Sequence, residues 1–138
     1  MVQYGTPKEL IPQMNEVLSR NEGFWLTVTG YSMTPTLKHL KDKVYIKAMK
    51  EQVKTGDILL VDDHGTCILH RVVKCINDEF YLRGDIQSYC EGPFTAKNIV
   101  GKVAEVQKGN IKFPINCMFR YINSIYRKLW KIKRYIFL

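Results

Sequence analysis

Short apolar runs alternate with polar turns through the middle of the chain, between residues 24 and 107. Runs rich in Val, Ile, Leu, Tyr and Phe that are bounded by Gly, Asn and Asp are typical of β-strands. The turns are marked by Asp63-His64-Gly65, by Asn77-Asp78 and by Lys108-Gly109-Asn110. The pattern predicts a mainly β domain, with strands at residues 24–29, 43–48, 57–62, 66–75, 79–83 and 99–107.

A helical pattern precedes the first predicted strand. Thr6-Pro7-Lys8-Glu9 has the form of a capping box with proline at the first helical position. Apolar residues follow at helical spacing, and Asn21 with Gly23 marks the end of the helix. Because Pro12 interrupts the pattern, we expect the helix to begin after it or to bend there. An amphipathic helix of this kind is suited to covering an open sheet.

A second helical pattern, basic and rich in aromatic residues, follows Pro114. Residues 115–138 include six basic and no acidic side chains, so they supply six of the formal net charge of +8. A cationic amphipathic helix is typical of contact with an anionic membrane surface, although its apolar stripe would also suit packing on the domain or on a second copy. The broad apolar stripe disfavours nucleic-acid binding. The residues predicted to contact a membrane are Arg120, Arg127, Lys128, Trp130, Lys131 and Arg134.

Length and composition limit the organisation of the chain. Its 138 residues, 46% of them hydrophobic, suffice for one domain with a core and are too few for two. We assign residues 1–114 to this domain and residues 115–138 to the basic helix, either as part of the domain or as an appendage on a membrane surface. No apolar run approaches the roughly 18 residues of a membrane-spanning helix, and no secretory leader is evident. We therefore expect a cytoplasmic or peripheral-membrane location, and the oligomeric state is left open.

The cysteines indicate reduced thiols. No Cys-x-x-Cys pair occurs, which argues against a zinc site, and the absence of a secretory leader argues against a disulfide framework. We infer neither a metal ion nor an organic cofactor. The four residues are Cys67, Cys75, Cys90 and Cys117.

The segment Gly30-Tyr31-Ser32-Met33-Thr34-Pro35 places a serine on a stiff turn directly after a predicted strand. Glycine permits close approach of a backbone, while proline fixes its own φ and holds the residue before it out of the helical region. A nucleophile on a rigid loop at a strand end is a common element of acyl-transfer sites. Taken alone, the segment is explained better by an ordinary turn than by a catalytic loop.

Four further segments follow in order: Gly56-Asp57, His70-Arg71-Val72, Gly84-Asp85 and, more loosely, Gly101-Lys102-Val103. With the serine segment, they resemble the serine peptidases of the signal peptidase and LexA-type repressor superfamily. Members of that superfamily share a Ser-Met-x-Pro box, a structural Gly-Asp strand start, a base residue before Arg-Val, and a second Gly-Asp box. The resemblance implies coiled antiparallel sheets that form a partly open barrel.

The resemblance also implies the roles of three residues. Ser32 would be the nucleophile and His70 the general base, as in the endoplasmic-reticulum type, whereas most bacterial members have a lysine before Arg-Val. Asp85 would be the acidic partner of the histidine, although a turn residue that caps the backbone is an equally good interpretation. The N-terminal transmembrane anchor of signal peptidases has no counterpart here.

Strand alternation gives an independent view of His70. In an extended segment, Ile68, His70 and Val72 point to one face. Desolvation between two branched apolar neighbours would lower the pKa of the imidazole and keep it neutral, as a general base requires. A core histidine bonded to a backbone carbonyl is the alternative. His39 and His64 are both predicted to be exposed.

Gly30 stands where many signal peptidases place a hydroxyl residue that helps to stabilise the oxyanion. Backbone donors at Gly30 and Ser32, above all the amide of Ser32, are therefore expected to do this. An extended substrate could add as a strand beside Leu26, Val28 and Thr29.

The sequence thus predicts a signal-peptidase-like serine endopeptidase that cuts an extended peptide or leader segment. Two alternatives remain open. One is a catalytically weak or inactive module of the same fold that binds peptide or membrane. The other is a basic relative of the repressor branch, although no helix-turn-helix precedes the serine segment.

Overall fold

The structure, a computed structural model, describes residues 7–118 together with residues 120 and 128. Within these residues the fold is mainly β, with one N-terminal helix and one antiparallel sheet of eight strands that is not closed. This confirms the predicted fold class, and the open sheet is consistent with a LexA-like fold. The helix and strands are α1 Pro7–Ser19, β1 Phe24–Thr27, β2 Asp42–Lys47, β3 Ile58–Asp63, β4 Thr66–Ile76, β5 Glu79–Arg83, β6 Glu91–Phe94, β7 Ile99–Lys108 and β8 Ile111–Pro114.

The sheet runs in the order β1-β2-β7-β3-β4-β5-β6, and β8 also pairs with β7. The long strand β7 pairs along one side with β2, and along the other with β3 near its start and β8 near its end. Strand β1 pairs with β2 alone, so it forms one edge of the sheet. The nucleophile candidate Ser32 follows this edge strand, whereas His70 lies in β4 on the other side of β7.

Strand β3 explains why the run Ile58-Leu59-Leu60-Val61 is continuously apolar. Its first four residues are all buried, and they alternate between two separate clusters. Ile58 and Leu60 belong to the larger cluster, which includes Leu18 of α1, while Leu59 and Val61 belong to the smaller one with Val72 of β4. A strand that is covered on both faces has no polar side, which is why the usual alternation is missing there.

Three elements differ from the expectations. Helix α1 continues through Pro12 from Pro7, so the expected later start is wrong; position 12 lacks one backbone donor within an otherwise regular helix. The pattern also missed β6, whose Gly92 and Pro93 are poor strand formers that occur at edges. The pattern predicts a helix after Pro114 and no strand before it, so it also misses β8, the short strand that Pro114 ends.

The predicted C-terminal helix falls largely outside the described residues. A single 3₁₀ turn, Ile115–Cys117, stands at its expected start, and Met118 after it is buried. Arg120 and Lys128 are exposed. The other predicted membrane-contact residues, Arg127, Trp130, Lys131 and Arg134, lie outside the described residues.

Candidate active site

Ser32 lies on a tight loop that connects the edge strand β1 to β2. Gly30 has a φ of 85°, a left-handed conformation that glycine adopts without strain. The next turn is closed by the Thr34 amide, which donates to the Tyr31 carbonyl over 3.1 Å. Met33 and Leu37 are buried in the larger core cluster and fix the loop from below. Ser32 itself is half-buried, at the boundary between core and solvent.

His70 faces this loop from the middle of β4. Its Nε2 lies 2.9 Å from the Ser32 Oγ, and the residue is only 6% exposed. The alternation expected for β4 is confirmed, since His70 and Val72 are buried while their neighbours are less so. When the proton of the neutral ring is on Nδ1, Nε2 accepts a hydrogen bond from the serine hydroxyl. That is the geometry in which a base takes the proton of a nucleophile.

Glu91, from β6, is the carboxylate beside the other ring nitrogen. Its Oε1 lies 3.0 Å from His70 Nδ1. The distance is that of an ion pair, yet Nδ1 does not make a well-aligned hydrogen bond. Burial lowers the pKa of His70, and the nearby charges of Glu91 and then Asp85 oppose that shift without cancelling it. The imidazole is therefore held neutral, while a charged ring would gain support from the acid behind it.

Asp85, the acid that the resemblance implied, lies elsewhere. Its two oxygens accept hydrogen bonds from Arg71 Nε over 2.8 Å and from Arg71 Nη2 over 3.0 Å. The Thr36 hydroxyl donates to its Oδ2 over 2.5 Å. Burial would raise the pKa of Asp85, but the hydrogen bonds from Arg71 and Thr36, with the charges of Arg71 and Arg83, hold it below its ordinary value. The structure thus places Glu91, and not Asp85, against His70 Nδ1.

The second Gly-Asp box also brings the serine loop close to β5. A Cβ atom at Gly84 would lie 2.6 Å from the Ser32 carbonyl oxygen and 2.9 Å from the Ser32 Cβ. The Ile86 amide donates to the same Ser32 carbonyl over 3.1 Å. Glycine at position 84 is therefore required by close approach of two backbones rather than by its φ. Together with Thr36 and Asp85, it holds the serine loop against the strand that carries His70.

The two predicted oxyanion donors differ in the structure. The Gly30 amide donates to His39 Nδ1 over 2.7 Å, so it is engaged and does not point to a substrate. The Ser32 amide makes no hydrogen bond among the described residues. His39 is half-buried, with its ring 4.6 Å from that of Tyr31, so its predicted exposure is wrong. His64 has a side chain that is 99% exposed, as expected.

A cavity of about 560 Å³ opens beside Ser32 and His70. Leu26, Val28 and Thr29, the residues expected to guide a substrate strand, all line it. Only Leu26 of these belongs to β1, which ends at Thr27 instead of the expected residue 29. Among the described residues β1 is an edge of the sheet, so no other strand pairs with its outer backbone groups.

Sequence reasoning missed Glu91. The family resemblance ended at Asp85, and the stretch Cys90-Glu91-Gly92-Pro93 has no strand-like pattern. Glu91 of β6 pairs with Leu82 of β5, and this pairing brings Glu91 to the level of His70. Only the register of β6 on β5 shows this, and no local signal in the chain predicts it.

Within the described part of the chain, no helix has both the length and the apolar character needed to cross a bilayer. Over the same residues, no group of His, Cys, Asp and Glu side chains is arranged to hold a metal ion.

Comparison with known proteins agrees with this geometry at the level of the family. The model of the family described as Peptidase S24-like matches residues 2–104. This match supports the predicted superfamily of LexA-type and signal peptidases and a peptidase-type hydrolase at the family level. No curated protein matches the chain. With most of its length covered by that family model, the chain belongs to the Peptidase S24-like family.

Proposed function

We propose that this protein is a serine endopeptidase of the histidine-base type, in which Ser32 attacks the peptide bond and His70 accepts its proton. The observation that carries the proposal is the distance of 2.9 Å between Ser32 Oγ and His70 Nε2. A serine hydroxyl is a weak nucleophile unless a base is within hydrogen-bonding reach, and a neutral imidazole is such a base near pH 7.

The reaction would proceed in two stages. His70 takes the proton as Ser32 Oγ adds to the scissile carbonyl, and the imidazolium then donates it to the leaving amine. Glu91 beside Nδ1 stabilises the imidazolium and holds the ring in the productive orientation. Water then releases the acyl group from Ser32 by the same proton transfers in reverse. Asp85 would act indirectly, because it accepts hydrogen bonds from both Arg71 and Thr36.

The Ser32 amide is the donor best placed to stabilise the oxyanion, since the Gly30 amide is bonded to His39. Losing one such donor costs about 3 kcal/mol of transition-state stabilisation in comparable sites. An oxyanion site with a single backbone donor predicts a slow enzyme, or one that holds its substrate closely.

The substrate would be an extended peptide that adds to the free edge of β1. Main-chain hydrogen bonds to an edge strand bind peptides irrespective of sequence, and pockets for alternate side chains give selectivity. The cavity beside Ser32 is of the size that such pockets have, roughly 300–1,000 Å³. The sequence of the cleaved peptide is left to experiment.

Cleavage of a peptide library, followed by mass spectrometry, tests the proposal. The wild type is expected to cut one bond in a subset of the peptides, and Ser32→Ala and His70→Ala are each expected to abolish cleavage. Ser88→Ala is the matched control, because Ser88 is exposed and outside the site. Cleavage that persists in Ser32→Ala would refute the serine mechanism. Binding without cleavage by the wild type would favour the alternative of an inactive peptide-binding module.

Contact of the basic C-terminal segment with anionic membranes stays a proposal of its own. Arg120 and Lys128 are exposed, as that role requires. Charge reversal at both positions should reduce flotation with vesicles that contain phosphatidylserine. Substitution is preferable to truncation from residue 115, because Met118 is buried in the core. Unchanged flotation would remove these two side chains from the proposal.

A further inference from the structure

The last turn of helix α1 is fixed to the sheet through Leu18. Leu18 is 6% exposed and belongs to the larger core cluster. It lies so close to β7 that a Cβ atom at Gly101 would be 3.3 Å from Leu18 Cδ1. Glycine on the strand therefore allows this end of the helix to approach the sheet directly.

Nearer its start, α1 also borders the cavity. Leu10 and Met14 are four residues apart, so they lie on one face of the helix. Both are half-buried and both line the cavity of about 560 Å³ that also reaches Ser32 and His70. The helix thus supplies part of the wall of the space that the two reacting side chains face.

The remaining wall near the helix is apolar. Leu26, Leu60 and Leu69 line the same cavity from β1, β3 and β4. An extended peptide on the edge of β1 directs alternate side chains to one face of the sheet, and on this side they would enter a space with apolar walls. A charged side chain there would lose its hydration without gaining a partner.

We propose that α1 forms one wall of the pocket for the substrate side chain next to the scissile bond, and that Met14 sets the largest apolar side chain that fits. This inference rests on the proposed function and assigns a selectivity role to the N-terminal helix. Met14 suits it, because its side chain is long, unbranched and half-buried where it packs against the larger core cluster.

The test measures kcat/KM for peptides in which the residue before the scissile bond is Ala, Val, Leu, Met, Phe or Trp. Met14→Ala should raise the preference for Phe over Ala by about 10-fold, since each methylene in such a pocket discriminates by roughly 10- to 200-fold. Met14→Trp should shift the preference in the opposite direction. Ile11→Ala is the matched control, because Ile11 is a half-buried residue of the same helix that does not line the cavity.

The same peptides are bound to each Met14 variant in a Ser32→Ala background, with the dissociation constant measured by calorimetry. This arm separates the two proposals. If the wild type cleaves nothing, the enzymatic proposal fails, while opposite shifts in binding selectivity would still support the pocket. The inference is overturned if both Met14 variants change all peptides equally, if Ile11→Ala gives the same shift, or if no peptide binds. Thermal unfolding checks that each variant is folded.

Discussion

Two successive residues of β4 each meet a carboxylate, and the two pairs differ in what they can do. Arg71 reaches Asp85 through two hydrogen bonds, with Thr36 adding a third. His70 meets Glu91 through one contact of 3.0 Å that is poorly aligned. In the first pair, the hydrogen bonds to Asp85 hold its pKa below the ordinary value despite its burial, whereas the second pair includes a ring whose proton can move.

An acid that lies near a histidine is therefore not by that fact its partner. Asp85 raises the pKa of His70 by its charge alone, while Glu91 does so by charge and by contact. Neighbouring strand residues point in opposite directions, so Arg71 and His70 leave β4 on opposite faces.

Among substitutions of residues that do not react with the substrate, Glu91→Gln should cause the largest loss of activity. The amide cannot stabilise the imidazolium and can favour the wrong tautomer, so kcat should fall by roughly 100- to 10,000-fold. Steady-state kinetics on a cleaved peptide measures this. Thermal unfolding should change little, and Glu91→Asp should retain part of the activity. An unaltered kcat in Glu91→Gln would show that Glu91 is not the acidic partner of His70.

Gly84→Ala should damage the geometry of the site without changing its charge. The new Cβ would meet the Ser32 carbonyl oxygen at 2.6 Å, so the serine loop must move away from His70. A displacement near 1 Å costs about 100-fold in kcat. The control is Gly109→Ala, where a Cβ has open space but the φ of 60° adds local strain. Equal activity in Gly84→Ala and the wild type would contradict the close contact.

Asp85→Asn should affect stability more than turnover. It weakens the hydrogen bonds to Arg71 and Thr36, and bonds to a charged group contribute about 1.5–3 kcal/mol each before solvent screening. We expect a loss of about 1–3 kcal/mol in the free energy of unfolding, with kcat lowered by less than in Glu91→Gln. Chemical denaturation and kinetics on the same samples test this. A collapse of kcat with unchanged stability would restore Asp85 as the acid of the site.

The pH dependence of kcat/KM distinguishes Glu91 from Asp85 by the smallest expected effect, but it reports on His70 most directly. Burial lowers the pKa of His70, so activity should persist below the ordinary titration range of histidine and fall when the ring becomes charged. Glu91 and Asp85 both raise this pKa, and Glu91 does so most. Removing either charge should therefore move the acid limb to lower pH, by more in Glu91→Gln than in Asp85→Asn. A shift to higher pH in either variant would contradict these signs.

The lowered pKa of Asp85 also affects the stability of the fold. The pKa of Asp85 is lower in the folded state than in the unfolded chain, so its ionised form stabilises the fold at neutral pH. This contribution is present above the unfolded pKa, about 3.9, and is lost as the pH falls through the folded value.

Much of the fold followed from local patterns. The strands that include Ile58 and His70 are long apolar runs bounded by turn residues, and such runs are detectable without tertiary information. Strand β6 is not predicted by these patterns, because Gly92 and Pro93 form no such run and its pairing depends on the neighbouring strand β5. Helix α1 continued through Pro12 because packing of its apolar face against the sheet outweighs the lost donor.

The site was predictable in part for a different reason, because the order of the motifs resembles a known superfamily and that resemblance implied the roles of Ser32 and His70. The sequence predicted that Ser32 and His70 would meet, and they lie within hydrogen-bonding distance; their catalytic roles stay predictions. The position of Glu91 was not predictable, because it depends on the register between two short strands. The use of Gly30 was also missed, since its amide is bonded to a histidine nine residues further along the chain.

That last hydrogen bond means that imidazoles bond to the serine loop at two separate points. One point is the hydroxyl of the candidate nucleophile, and the other is the bend on which that residue stands. The shape of the loop and its chemistry are thus held by two side chains of one kind, so a change at His39 would alter how Ser32 presents its hydroxyl without touching either reacting group.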